Sequence, residues 1–399
     1  MNVSTKPDRR GIRTGVAALC DDPALVGDGR FGLVTNFTGT LPDLSRNVDG
    51  LLAAGVPITA LFGPEHGLRG SVQAGQTESL ADDPDTGLSI HETYLRTDEE
   101  LDEIVSGTGV DGLIFDIQDI GSRFYTYIWT MYDVMLSAAR TRKRFVVLDR
   151  PNPLAGLNVA GPGLDPEYRS FVGRVDIPLR HGLTIGELAR YLNLHHVPAA
   201  AGRAVDLTVI AMDGWTRAMD FDATGLPWTP PSPNMPSVAT AFAFAGTALF
   251  EGTTVSEGRG TTKPFEQVGA PWVDGRLLPV LRASGLPGVL FREAWFTPSF
   301  HKYAGEQVRG IALHVTDRQL FDPVRTAVTM IAALADLYQE FGFSAPGERV
   351  DAPDRGYAID RLWGSASLRR VVEEGRDPRS LLQPPGSVET HFPGGVLLY

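Results

Sequence analysis

Short apolar runs alternate with helical spacings through the first half of the chain. Phe31 to Thr35 (FGLVT), Pro57 to Phe62 (PITALF), Gly112 to Ile117 (GLIFDI), Phe145 to Leu148 (FVVL) and Leu207 to Met212 (LTVIAM) read as five strands. Between them, Asp43 is placed to cap a helix whose Leu44, Val48, Leu51 and Leu52 share one face, with Gly55 just past its end. A polar helix is expected from about Asp98 to Ser106 and another over Tyr127 to Arg140. Thr184 and Glu187 form a T-x-x-E capping box for a third, running to about Leu194. Several strands are apolar throughout instead of alternating, as expected when helices cover both faces of a parallel sheet. The pattern predicts a doubly wound α/β domain. It breaks at Trp228 to Pro236, where four prolines in nine residues can continue neither a helix nor a central strand. A domain boundary is expected near residue 230, dividing 1–230 from a smaller 231–399. Beyond it, Arg309 to Val315 reads as a strand, and Asp322 with Pro323 opens a long amphipathic helix expected to stop at Gly342.

At 399 residues, 43% of them hydrophobic, the chain is long enough for two domains of ~100–200 residues. The 36 basic against 48 acidic residues leave a net charge of −12, which argues against nucleic acid as a partner. Cys20 is the single cysteine, which excludes an internal disulfide and any zinc or iron–sulfur site built on several thiolates. No run nears the ~20 apolar residues that span a bilayer, so no membrane partner is expected. Lys6, Arg9, Arg10 and Arg13 are followed by no apolar segment and read as a frayed basic tail, not a secretion signal; the chain as written is expected to be cytoplasmic. The expected partner is a small-molecule substrate, with the oligomeric state left open.

In open parallel sheets, ligands bind outside the carboxyl ends of the strands. The segments leaving the predicted strands are dense in reactive groups: Asn36 after the first, Glu65 and His66 after the second, Asp116, Asp119, Arg123, Tyr125 and Tyr127 at the third, Arg150 after the fourth. His181 precedes the capped helix, and Glu257 and Arg259 lie just past the prolines. Each has a structural alternative. Glu65 would cap the next helix, the histidines would hold loops, and Asp116 would form a buried ion pair with Arg123 or Arg150. The tyrosines would be core, and Glu257 would brace a glycine-rich turn. The chain contains no G-x-G-x-x-G after the first strand, no phosphate loop, no G-x-S-x-G and no H-E-x-x-H, so neither a nucleotide cofactor nor a metal is expected. Carboxylates with aromatics and arginine remain, the inventory of glycoside hydrolysis.

At these segments the chain resembles the exo-β-N-acetylmuramidases of NamZ type, a bacterial family once known only as a domain of unknown function. The matching stretches include GLVTNFTG (32–39), LFGPEHGLRG (61–70), DIQDIGSRFYTYIWTM (116–131), VLDRPNPLAG (147–156), SFVG (170–173), RHGLTIGELA (180–189), PPSPNMP (230–236), LFEGTTVSEGRGTTKPFE (249–266) and KYAGE (302–306). The resemblance implies a Rossmann-like N-terminal domain, a smaller α/β (α+β) C-terminal domain closing a cleft, and no cofactor. It further implies release of terminal N-acetylmuramic acid from the non-reducing end of peptidoglycan fragments. Many peptidoglycan-directed members carry a secretion signal, which is missing from this sequence. By matched motif, Glu65 is the leading catalytic residue, and a tyrosine of RFYTY, Tyr125 foremost, belongs to the active site.

In the mechanism this suggests, Glu65 is the general acid, and Asp116 or Asp119 supplies the second charge, as base for water or as a partner for the substrate's acetamido group. Arg123, Arg150 or Arg259 would meet the lactyl carboxylate of muramic acid, and Tyr125 and Tyr127 would pack on the sugar. Asn36, His66, His181 and Glu257 complete the expected substrate-binding set. The same groups would also serve a non-catalytic muropeptide-binding protein. A nicotinamide-dependent enzyme on this fold ranks last, for want of the glycine fingerprint.

Overall fold

The computed structural model describes residues 11–71, 81–346, 356–392 and 394–399; the basic residues Lys6, Arg9 and Arg10 of the expected frayed tail lie outside them. The strands of the first half are β1 (Phe31–Thr35), β2 (Ile58–Gly63), β3 (Ile90–Glu92), β4 (Gly112–Asp116), β5 (Arg144–Leu148), the two-residue β6 (Asn158–Val159) and β7 (Asp206–Ile210). Six of them form one sheet in the order β3-β2-β1-β4-β5-β7. Every pairing in it is parallel. The fold is therefore the expected Rossmann-like α/β, and its order reverses between β1 and β4, where a crevice opens at the carboxyl edge.

Both faces of the central strands β1, β4 and β5 are buried, which is why these strands run almost continuously apolar, whereas the edge strands β3 and β7 carry half-buried or exposed polar positions. Phe31, Leu33, Ile114, Val146 and Leu148 face one core with Val16, Leu19, Val48 and Leu51. Val34, Phe62, Leu113, Phe115, Phe145 and Val147 face the other. That second core continues without a break into the C-terminal half through Phe242, Phe250 and Val328. The C-terminal half carries an antiparallel sheet of β8 (Gln267–Ala270), β9 (Val289–Phe296) and β10 (Val308–Val315), in the order β8-β10-β9. Helix Val238–Thr247 (VATAFAFAGT) is apolar on all sides and buried, so it shows no amphipathic period to a sequence reader. At Gly246 a β-carbon would run into the Pro323 carbonyl oxygen, so only glycine lets this helix pack against helix Pro323–Leu337. Among the described residues, no helix is long and apolar enough to cross a membrane.

Helices Asp98–Gly107 and Ile185–His195 open on capping boxes, Thr97 with Glu100 and Thr184 with Glu187. Two expected helices differ. Asp43 does not cap: its Oδ1 accepts from the Ser45 amide at 3.0 Å and hydroxyl at 2.6 Å, an Asx turn that throws Leu44 into φ 69° and leaves it 54% exposed. The helix starts later, over Asn47–Ala53. The long helix spans Pro323–Leu337 and ends short of Gly342, because Tyr338 turns extended (φ −132°) and its hydroxyl bonds Asp274 Oδ1 at 2.9 Å.

After helix Ser367–Glu373 the chain returns to the first sheet. β11 (Gly386–Ser387) pairs antiparallel with β6, and Tyr399 donates its hydroxyl to Asp149 Oδ2 at 2.6 Å, just past β5. Asp149 also accepts from Thr184 and from the Gly186 amide. Burial pushes its carboxyl up to about 7, with those three donors pulling the other way. A carboxyl whose folded pKa exceeds its unfolded value stabilises fully below about pH 4, and this contribution is lost as pH rises toward 7. Asp149→Asn is therefore expected to flatten the decline of the urea midpoint between about pH 4 and 7; an unchanged slope would mean another group carries it.

Candidate active site

The tails of the parallel strands converge on one rim, and Glu65 is the carboxylate best presented there. It sits in a four-residue turn after β2, closed by the Gly67 amide donating to the Pro64 carbonyl at 3.0 Å. His66 takes φ 70° in that turn, a left-handed conformation that costs a non-glycine residue roughly 1–3 kcal/mol and is characteristic of functional loops. Glu65 is 7% exposed. Its Oε1 accepts from the Tyr94 hydroxyl at 3.2 Å, and its Oε2 from the Thr126 hydroxyl at 2.6 Å.

Around it stand aromatic and amide groups from β1 and β4. Tyr125 and Tyr127 meet edge to face with centroids 5.1 Å apart, and Tyr127 donates to the Pro231 carbonyl at 2.6 Å. Burial first, then the charges of Asp119 and Glu65, drive the Tyr125 hydroxyl well above its ordinary range. Tyr127 is raised likewise, by burial above all. Both phenols therefore act as neutral donors. Asn36 lies beside Tyr127; its Oδ1 accepts from the Thr38 amide at 2.9 Å and hydroxyl at 2.6 Å.

Asp119 and His181 form a buried pair. Asp119 Oδ2 accepts from the Gly121 amide at 2.7 Å and lies 3.4 Å from His181 Nε2. The Leu183 amide donates to His181 Nδ1 at 3.2 Å, which assigns the ring proton of neutral His181 to Nε2, on the Asp119 side. Among the described residues, Asn36 Nδ2, Gln118 Oε1, Asp119 Oδ1, the Tyr125 hydroxyl and His181 Nε2 are buried without a well-aligned hydrogen bond. Each such atom costs about 1–3 kcal/mol while unmet, and a polar ligand at the rim would satisfy these five; other unmatched atoms lie elsewhere in the protein.

Two expected groups are engaged elsewhere. Asp116 is fully buried, with both oxygens on Arg150 (2.6 and 2.8 Å) and Oδ2 also on Asn47 at 2.7 Å. Arg150 spends a further bond on the Thr40 carbonyl. The pair is the structural alternative, an ion pair closing the sheet edge. Arg123 turns inward and donates to the carbonyls of Pro162, Ile177, Leu362 and Trp363 at 2.9 to 3.0 Å. It is fully buried and faces no cleft.

From the C-terminal half, Arg259 lies close enough to act on the Tyr125 hydroxyl. Its guanidinium stacks 5.0 Å above the Phe265 ring and bonds Glu251 at 2.8 Å, with Glu257 3.5 Å away. Glu257 is buried beneath it, contacting Lys302 at 3.1 Å and His301 at 3.0 Å. Burial alone would raise this carboxyl, but Lys302, His301 and Arg259 overcome that and hold it well below the usual range. Glu257 thus braces the glycine-rich turn and orients Arg259. Among the described residues, no three His, Cys, Asp or Glu side chains cluster as metal ligands.

The rim therefore brings together Asn36, Glu65, His66, Asp119, Tyr125, His181 and Arg259, with Tyr127 in the core behind Tyr125; Asp116 and Arg150 stand beside it but are spent on each other, and Arg123 is turned inward. Sequence reasoning missed Tyr94 and Thr126. Tyr94 follows a three-residue strand too short to leave an apolar run, and Thr126 stood unremarked between two tyrosines.

Family comparisons agree with this architecture. The family model described as exo-β-N-acetylmuramidase NamZ, N-terminal, matches residues 31–239, and its C-terminal counterpart matches 242–392. A relative in Bacillus subtilis (strain 168), the peptidoglycan β-N-acetylmuramidase NamZ, is 44% identical over 375 residues, covering 93% of this chain and 86% of its own. Two crystal structures of DUF1343 family proteins from Bacteroides fragilis superpose with TM-scores of 0.81 and 0.69, at 34% and 26% identity. The first covers 94% of this chain and 95% of its own, the second 93% of each. The resemblance read from the motifs thus holds over nearly the whole length, and the chain belongs to the NamZ exo-β-N-acetylmuramidase family.

Proposed function

We propose that the chain is an exo-acting β-N-acetylmuramidase that releases terminal N-acetylmuramic acid from peptidoglycan fragments, with residues 1–230 as the catalytic wall and 231–399 as the wall facing it. The observation that carries this reading is Glu65, nearly buried at the sheet's carboxyl edge and gripped at both oxygens by hydroxyls. The muramidase activity named for the Bacillus relative supports it. Glu65 protonates the departing glycosidic oxygen. Asp119 is the second carboxylate in preference to Asp116, because Arg150 and Asn47 already occupy both Asp116 oxygens. Paired with His181, Asp119 activates water or orients the substrate's acetamido group. Tyr125 donates to the substrate from its unmatched hydroxyl, and Tyr127, buried with its own hydroxyl on the Pro231 carbonyl, backs the Tyr125 ring edge-on.

Of the three candidate guanidiniums, Arg259 alone combines a rim position with a side chain not enclosed by the N-terminal half. It recognises the lactyl carboxylate, which lets an acidic protein bind an acidic sugar through one local contact. Incubation with 4-nitrophenyl β-N-acetylmuramide is expected to release nitrophenol; binding without release would leave a muropeptide-binding protein. Arg259→Ala is expected to raise KM on that muramide about tenfold or more, the scale of one charged hydrogen bond, and to spare residual turnover of the matching N-acetylglucosaminide. Equal losses on both sugars would remove Arg259 from lactyl recognition.

A further inference from the structure

The two hydroxyls on Glu65 are not equivalent. Thr126 stands at the N-terminal end of helix Tyr127–Arg140 with helical torsions (φ −74°, ψ −18°) and makes no capping bond; its hydroxyl instead lies 2.6 Å from Glu65 Oε2. Tyr94 reaches Oε1 from beyond β3 at 3.2 Å, longer than a usual O–H···O bond. Its ring meets Phe171 edge-on at 5.1 Å, and the Arg174 guanidinium covers Phe171 at 5.3 Å. The ionised carboxylate accepts from both hydroxyls; in the acid form one oxygen carries the proton, and the shorter Thr126 contact favours Oε2 as the oxygen that still accepts.

We propose that Thr126 is a positioning residue that keeps Oε2 of Glu65 as the acceptor, so that the transferable proton is carried on Oε1. Tyr94 stands by Oε1 to donate once that proton has gone. In the step, the Oε1–H bond breaks as an O–H bond forms on the glycosidic oxygen. The electron pair of the cleaved C1–O bond goes to that oxygen while water or the substrate's acetamido oxygen bonds C1, and the resulting carboxylate accepts from Thr126 and Tyr94 together. This inference rests on the reading of Glu65 as the general acid.

The test exploits leaving groups. A 4-nitrophenolate needs little protonation to depart, whereas a sugar needs it fully. On a disaccharide in which N-acetylmuramic acid is β-linked to a second sugar, Thr126→Val is expected to lower kcat ~10²-fold with little change in KM. On the nitrophenyl muramide the loss is expected to stay under about fivefold, and Thr126→Ser is expected to recover most of the disaccharide activity. Equal losses on both substrates, or a serine variant no better than valine, would overturn the proposal by reducing Thr126 to packing. Glu65→Gln measured alongside separates the two failures. If it is selective for the disaccharide while Thr126→Val is not, the acid reading stands and the role of Thr126 falls. If Glu65→Gln itself shows no selectivity, the acid reading fails and this inference with it.

Discussion

Glu65→Gln is expected to leave a folded protein that binds N-acetylmuramic acid and turns over saccharide fragments ~10²–10⁴-fold more slowly. The substitution is nearly isosteric. The amide oxygen can still accept from Thr126 Oγ1, and the amide nitrogen can donate to the Tyr94 hydroxyl, so the turn at Pro64–Gly67 keeps its supports. What disappears is the transferable proton, which is needed only as the glycosidic bond breaks. The loss therefore belongs in kcat and not in sugar affinity, because an interaction used only at the transition state does not contribute to ground-state binding. Free N-acetylmuramic acid released from muropeptides, a calorimetric titration with the sugar and a melting curve together check it. Near-normal release would withdraw the acid role from Glu65.

Arg123→Met is expected to cost about 3–5 kcal/mol of stability, the loss typical of breaking a buried charged network. The guanidinium is the shared donor for four main-chain carbonyls, two at Pro162 and Ile177 and two at the end of helix Ala358–Trp363. Methionine fills much of the same volume but leaves all four without that donor, inside the protein, where each unmet carbonyl costs about 1–3 kcal/mol. The sum is tempered by the charge itself: burial pushes the Arg123 guanidinium down to about 9, so part of the gain already goes to desolvation. Urea unfolding measures the difference. A substrate-binding Arg123, the other reading of its motif, would instead raise KM and leave the unfolding midpoint in place.

Arg123 also marks the limit of what the linear chain discloses. Its guanidinium reaches the Leu362 carbonyl across 239 residues, a separation no motif or period encodes. The same holds for Asp116 and Asp119, three residues apart in one motif. Arg150 claims the first from the next strand's tail, and the second is left beside His181 with one oxygen unmatched. Thr126 and Tyr94 became visible only when the chain brought them to Glu65 from 61 and 29 residues away.

The parallel sheet itself was legible, because burial on two faces demands uninterrupted apolar strands such as FGLVT and GLIFD, and that demand is local. So were the capping box at Thr184, which acts over three residues, and the family motifs at the strand ends. Local hydrogen bonding and apolar period therefore determined the elements and the rim to which their polar tails run. Only the tertiary structure decided which charges on that rim neutralise one another and which stay open to a substrate. Pairing between buried ions depends on separations of a few ångströms, and folding alone sets those.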